Sequence, residues 1–201
     1  SILRKDAPSI SIGHTVDLVD GVKWVHSTDI SADKRIWLSS FGHIDAKLVA
    51  GAIWNRAPYT RLYIPSGNSG FWVSNNSFNS MLPMEFIMDR YVAFFATYHL
   101  KGWILNRIPL INRLRLREVM GFNILYGGLT DKNNADIDCE GLYKMPEVTQ
   151  PFGDVPYMEY SIGIENILRI LRVDFVRRLT YVDGWDKKDC WFIRIDLKFS
   201  L

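Results

Sequence analysis

The sequence predicts an all-β chain that forms an antiparallel transmembrane β-barrel, with about eight strands in this stretch. Three observations lead there: a terminal strand of strict alternation, the recurrence of the same pattern along the chain, and connections that alternate between long and short. In the terminal strand Trp191, Ile193, Ile195, Leu197, Phe199 and Leu201 are apolar, while Arg194, Asp196, Lys198 and Ser200 between them are polar or charged. Period-two alternation describes a β-strand with one apolar face, and about 10 residues suffice to cross a bilayer as a tilted strand. An apolar last residue, two after an aromatic one, is also how outer-membrane barrels commonly finish.

Taken in order, Ile10, Ile12, Val16 and Leu18 alternate with Ser9, Ser11, Gly13, Thr15 and Asp17 in a first strand. A second, less regular strand falls near 34–41. The third sets Leu48, Ala50, Ala52 and Trp54 against Lys47, Val49, Gly51 and Asn55. In the fourth, Val92, Phe94, Ala96, Tyr98 and Leu100 oppose Asp89, Tyr91, Thr97, His99 and Lys101. A fifth places Leu114, Leu116, Met120, Phe122, Ile124 and Tyr126 against Arg113, Arg115, Arg117 and Asn123. The sixth opposes Met158, Tyr160, Ile162 and Ile164 to Glu159, Ser161 and Gly163. The seventh opposes Leu171, Val173, Phe175, Leu179 and Tyr181 to Arg172, Asp174, Arg178 and Thr180, and 191–201 is the eighth. No amphipathic helix of three turns is visible.

The expected connections run long (19–33), short (42–44), long (55–84), medium (102–112), long (128–156), short (165–167) and modest (183–189). Long external loops and short periplasmic turns alternate in this way in outer-membrane barrels. Charges on one strand face with aliphatic and aromatic residues on the other fit a wet lumen and a lipid-facing exterior. A soluble barrel inverts that arrangement, and periodicity by itself does not say which face points inward. Arg177 and Glu118 interrupt the apolar face, and His14 does so more mildly. A charge at the lipid midplane costs ~2–4 kcal/mol, so these positions are expected near membrane edges or at bulges.

Composition narrows the class. No run of ~18 apolar residues occurs, which excludes helical spans and leaves a closed sheet as the spanning solution. Seven Trp suit interfacial girdles. A net charge of +2 is too small to argue for nucleic acid. The chain opens at Ser1 without a start methionine or a charged-then-apolar leader, as a mature protein or an excised C-terminal region would.

Sites of chemistry are sparse. His14, His26, His43 and His99 have no metal-ligand spacing, and Cys139 and Cys190 make no metal motif. Ser161 lies in S-I-G rather than a nucleophile elbow, and pairing it with His99 is the kind of match any barrel offers. No enzyme, cofactor or metal is expected. Both cysteines fall on the external side, where a loop-to-loop disulfide is sterically open. The segment 128–156 carries Asp131, Asp136, Asp138, Glu140, Glu147 and Asp154 and superficially resembles a calcium loop. It lacks the EF-hand glycine and spacing, so a solvated loop is the preferred reading. The basic turn 101–117 reads as solvated arginines entering the lumen, or as a contact for anionic partners. The loop 55–84 is long and too aromatic for disorder. It is expected to be a folded-in plug, lid or gating loop, or an ordered surface cap.

Several segments read together resemble one family: P-Y-T-R-L-Y-I-P-S-G-N at 58–68, S-F-N-S-M-L-P-M-E-F-I-M-D-R-Y at 77–91 and G-W-I-L-N-R-I-P-L-I-N-R-L-R-L-R-E-V at 102–119. L-Y-G-G-L-T-D-K-N at 125–133 and the stretch 156–181, which contains Y-M-E-Y-S-I-G-I-E-N, complete the set. They are similar to the C-terminal part of an uncharacterised Gram-negative outer-membrane family whose members carry a carboxypeptidase-regulatory-like domain ahead of a large barrel. That barrel in turn resembles the surface-antigen superfamily of outer-membrane assembly factors. The resemblance implies a barrel of about sixteen strands, of which residues 1–201 would be the C-terminal half. It also implies that 55–84 is a lumen-entering loop, with Pro58, Tyr59, Arg61 and Asn68 as candidate lumen residues. Two departures stand out: the loop has no V-R-G-F-type motif, and the chain ends on Leu201 with its aromatic at Phe199.

The expected function is assembly or translocation of polypeptide clients in the outer membrane of a Gram-negative bacterium, without chemistry. Arg172, Asp174, Arg178, Arg194 and Asp196 would form a lumen network, and the strand 191–201 a seam able to open. The partners would be outer-membrane lipid, unfolded polypeptides, and the remaining strands and N-terminal domain outside this chain. The alternatives are a passive or ligand-uptake channel and a soluble ligand-binding barrel.

Overall fold

The structure is a computed structural model that describes residues 7–19, 22–109, 111–137, 142 and 144–197. Eight strands form one antiparallel sheet in chain order: β1 (Ser9–Val19), β2 (Val22–Trp37), β3 (His43–Ile53), β4 (Arg90–His99), β5 (Arg117–Gly128), β6 (Tyr157–Ile167), β7 (Leu171–Arg178) and β8 (Trp191–Leu197). The remaining regular elements are short 3-10 turns. β1 and β8 are the two edges of this sheet, which is open among the described residues.

β2 corrects the expected pattern. The stretch 19–33, expected as a long loop, is mostly strand: Val22–Asp33 pairs antiparallel with β1, and the strand then continues to Trp37. The fifth strand also begins later than expected, because Ile111–Leu114 is a 3-10 turn. At one end of the sheet the connections are 38–42, 100–116 and 168–170; at the other they are 20–21, 54–89, 129–156 and 179–190. The expected alternation of short and long therefore holds except at the β1–β2 hairpin. The β6–β7 hairpin turns on a register shift, with Asn166, Leu168 and Arg169 at positive φ.

The register fixes two chemically opposite faces. Rows such as Ile12–Ile30–Ala50–Val92–Tyr126 and Leu48–Phe94–Ile124–Met158 run across neighbouring strands on one of them. This apolar face is open: Ile12 is 71% exposed, Ile193 55% and Phe175 47%. Exposed aromatic side chains gather at its two ends, with Trp24, Trp54 and Tyr126 toward the long loops and Phe41 and Trp103 toward the short turns. Of the two interruptions, Arg177 lies over the Trp191 ring at 5.2 Å. Glu118 is buried under the 100–116 connection, where its Oε1 accepts the amides of Ile104 and Leu105 (3.0 and 2.5 Å).

The second face carries the charges, and it is the one covered. The β3–β4 connection folds back over it, so Phe78, Met81, Phe86 and Met88 pack against Tyr91, Ala93, Phe95, Leu125 and Tyr157 of the sheet. Burying each such side chain contributes about 1.5–3 kcal/mol, so the segment is an integral second layer. A smaller cluster of Val25, Ala57, Leu62 and Ile87 secures its base. Most of β1 lies beyond this cover, and its Ser9, Ser11 and Thr15 are exposed like its isoleucines.

Candidate functional site

The candidate site is the charged face and the segment that covers it. Along β7 the period-two repeat aims Arg172, Asp174 and Arg178 to this side, and along β8 it aims Arg194 and Asp196. The first four are buried. Burying a charge costs free energy unless it is compensated; Arg172, Asp174 and Arg178 are held in ion pairs and Arg194 by backbone carbonyls.

The five predicted residues do not make a single network. Arg172 and Asp174 form a bidentate pair on one strand, with Nε to Oδ1 at 2.8 Å and Nη2 to Oδ2 at 2.6 Å. Gly163 opposite makes room for it, since a Cβ there would stand 1.9 Å from Asp174 Oδ1. Arg178 is instead directed at the covering segment: its Nη1 and Nη2 donate to Glu85 Oε2 and Oε1 at 3.0 and 2.5 Å. The same guanidinium lies between the Tyr157 and Trp185 rings, at 5.0 and 4.9 Å. Arg194 donates to two backbone carbonyls of the segment, Asn79 (2.8 Å) and Asn68 (2.9 Å). Asp196 is half-buried opposite Arg172 in the β7–β8 register. The reason for the split is that the segment, 93 residues from Arg178 at Glu85, supplies the counter-charges and acceptors.

Glu159 is the second anchor. Its Oε1 accepts the Asn79 amide (2.8 Å) and the Asn123 side-chain amide (2.8 Å). Its Oε2 accepts the Ser80 amide (2.8 Å), the Ser80 hydroxyl (2.5 Å) and the Tyr157 hydroxyl (3.1 Å). At the segment's far end Asp89 Oδ2 accepts the Thr130 amide, its hydroxyl and the Asn133 side-chain amide, tying the 129–156 connection down as well. Tyr63, stacked on Tyr91 with ring centroids 3.4 Å apart, has its phenol pushed up to about 12 by burial and by the nearby Asp29 carboxylate.

Of the predicted loop residues, Asn68 reaches the charged face: it accepts from Arg194 through its carbonyl, and its Nδ2 donates to Asn79 Oδ1 (2.8 Å). Pro58 is buried, and Tyr59 packs on the basal cluster. Arg61 is partly exposed and pairs with Asp17 of β1 at 3.2 Å. In the predicted seam strand, Trp191, Ile193 and Leu197 are exposed on the apolar face and Ile195 is half-buried. Phe199 and Leu201 lie outside the described residues. The free edge of β8 is already in use: Val73 donates to the Ile195 carbonyl and Ile195 to the Phe71 carbonyl, both at 2.7 Å.

Sequence reasoning missed Glu85, Glu159, Asn79 and Ser80. Glu159 was legible as a charge on the correct face of β6; the other three sit in irregular chain that no periodicity reports. Cys190 is buried with its thiol on the Asp186 carbonyl (3.5 Å), while Cys139 lies outside the described residues. So do Asp138 and Glu140 of the acidic loop. Among the described residues its other carboxylates do not converge as a cation site would require. The histidines behave differently from their spacing, since the four are brought into two pairs: His43 and His99 are direct partners in the β3–β4 ladder, and the His14 and His26 rings lie 5.8 Å apart.

No curated protein matches the chain. Residues 26–133, more than half of it, match the C-terminal domain of a family of unknown function, DUF5686. The match runs from within β2 through β5 and takes in the covering segment with Glu85, and the chain belongs to that family.

Proposed function

We propose that this chain is the C-terminal half of an outer-membrane β-barrel that handles polypeptide clients by strand exchange at its terminal strand, without chemistry. One observation carries the membrane reading: all eight strands expose apolar side chains on the uncovered face, while the centre of the charged face is covered by the 54–89 segment. A water-soluble sheet would gain by covering Ile12, Phe175 and Ile193 before Arg178 and Glu159. Strands of 10–12 residues at ~3.3 Å each are long enough for the hydrocarbon core. Aromatic residues at both ends of the open face occupy the depth of interfacial girdles. The same logic argues against a soluble ligand-binding barrel.

The half-barrel reading draws support from the open β1 edge, from a β8 edge met only by Phe71–Val73, and from β1 itself, most of which is exposed on both faces. The remaining strands, and a preceding carboxypeptidase-regulatory-like domain, would complete a barrel of the surface-antigen type. The assembly reading draws on β8, where Phe71–Val73 occupies backbone groups that a client strand would need. A passive or uptake channel would require the 55–89 segment to leave, against its packed core and buried ion pair.

Two measurements test this. The full-length protein should fractionate with the Gram-negative outer membrane, need detergent for extraction and run with heat-modifiable mobility; release in buffer alone would overturn the membrane reading. A cysteine replacing Ile195 should form mixed disulfides with cysteines in unfolded outer-membrane clients. Absence of such adducts, together with bilayer conductance unchanged by deleting 66–80, would favour the passive channel.

A further inference from the structure

At the short-turn end of the charged face, between the sheet and the tip of the covering segment at Val73–Ser77, a cavity of about 930 Å³ remains. His43, Asp45, His99 and Glu165 line one part of its wall. Gly42 (φ +105°) allows this corner to form: it lets the β2–β3 turn close against β4, where a Cβ would stand 1.9 Å from the His99 carbonyl oxygen. His43 then opens β3 directly opposite His99 at the end of β4, their rings stacked with centroids 4.8 Å apart and 17° between planes. Asp45 is two residues along the same strand and therefore on the same face. Its Oδ2 lies 3.8 Å from His43 Nε2 and 4.0 Å from His99 Nε2.

Glu165 completes the arrangement from β6. Its Oε2 lies 3.2 Å from His99 Nδ1. An ionised carboxylate only accepts, so Nδ1 carries the proton and the Nε2 lone pair is left facing Asp45. An outer carboxylate that fixes ring tautomer and orientation is the usual support of a metal-ligating histidine.

We propose that His43, Asp45 and His99 form a binding site for a divalent transition metal of the zinc class, with Glu165 positioning His99. The ligand atoms of the three all lie within 4.8 Å of one another. An ion in the plane of donors so spaced would stand about 2.5 Å from each; tetrahedral zinc bonds of ~2.0–2.2 Å put the donors about 3.4 Å apart, so metal binding draws the two imidazoles and Asp45 together by up to about 1.4 Å. Two imidazoles and a single carboxylate suit zinc and its neighbours; calcium and magnesium need more oxygen ligands than this corner holds. The open side toward the cavity leaves a fourth position for water or a small ligand.

Arg35 is the competitor. Its Nε and Nη2 donate to Asp45 Oδ1 and Oδ2 at 2.6 and 2.8 Å, holding the carboxylate in place while balancing its charge. Each carboxylate oxygen has a second lone pair, so Asp45 can keep the guanidinium and accept a metal. The arginine's positive charge nevertheless works against the ion, which yields a signature that a purely structural hydrogen-bond cluster would not show.

The full-length protein, extracted in detergent and stripped with a chelator, is titrated with Zn²⁺, and the zinc-loaded form is examined by X-ray absorption. One site with two imidazole ligands is expected. His43→Ala and His99→Ala should each abolish it, Glu165→Gln should weaken it about 10–100-fold, and Arg35→Gln should tighten it. Should the alanine variants lose heat-modifiable mobility, His43→Asn and His99→Asn replace them, and the wild-type absorption spectrum decides independently. No zinc uptake by the wild type at millimolar metal, a coordination shell without imidazole, or affinity unchanged by loss of His99 would each overturn the proposal.

Discussion

Glu85 and Arg178 meet in a bidentate ion pair at 2.5 and 3.0 Å, with neither side chain more than 2% exposed. One belongs to the covering segment and the other to β7, so this contact joins the two layers at their most desolvated point. Glu85 Oε2 also accepts the Leu82 amide at 2.8 Å, which stiffens the segment around the pair.

Removing one partner leaves the other buried and uncompensated. Glu85→Gln or Arg178→Met should therefore cost about 3–5 kcal/mol, read as a lower urea midpoint in detergent. The double replacement Glu85→Leu with Arg178→Met should recover most of that loss, because an apolar pair of similar volume has no desolvation penalty. A double variant as unstable as the single ones would show that the pair's geometry matters beyond its charge.

Glu159 accepts five hydrogen bonds, three of them from Asn79 and Ser80. Glu159→Gln turns an amide toward these donors, and each one left unsatisfied costs about 1–3 kcal/mol. The segment should lift locally before the sheet unfolds, and limited proteolysis within 66–80 should accelerate well ahead of any change in heat-modifiable mobility.

Gly163→Ala places a methyl group where Asp174 Oδ1 now stands. The Arg172–Asp174 pair must shift or β6 and β7 must part, at a cost of about 1–3 kcal/mol typical of overpacking. Gly13→Ala, with nothing within 4 Å of the added carbon, serves as the silent control.

Tyr63 gives the fold an alkaline edge. Its pKa is raised from the ordinary 10.0 to about 12, so the folded state holds the phenol neutral where the unfolded chain would ionise it. The stabilisation is full below pH 10 and lost as pH rises through 12. Tyr63→Phe should flatten the decline of the unfolding midpoint between those values, and the phenolate absorbance of folded wild type and Tyr63→Phe should coincide near pH 10 and diverge toward 12.

Val73 and Phe71 hold the outer edge of β8 through Ile195. Val73→Pro deletes the amide donor, and hydrogen exchange at Ile195 should speed up while exchange in β3 and β4 is unchanged. Equal acceleration in those strands would mean that the substitution disturbs the whole sheet rather than its edge.

The amphipathic strands show why part of this was readable. In β7 the contrast between Val173 and Phe175 and the alternating Arg172 and Asp174, continued by Arg178, assigns faces from the sequence alone. In Val22–Asp33 the contrast fades. His26, Thr28 and Ala32 stand on the apolar face and Val25 on the charged one, so a regular strand reads as a loop. Glu85 and Ser80 could not be foreseen, because irregular chain carries no period and their partners are far away in sequence.

Local chemistry by itself determined the all-β class, the eight-strand order of magnitude and the division into an apolar and a charged face. Each of these follows from side-chain alternation within one strand. Tertiary structure decided which face is covered, that Arg178 and Arg194 answer to the covering segment rather than to one another, and that His43 meets His99. Those outcomes depend on register and chain reversal, which bring together residues dozens of positions apart and leave no trace in local pattern.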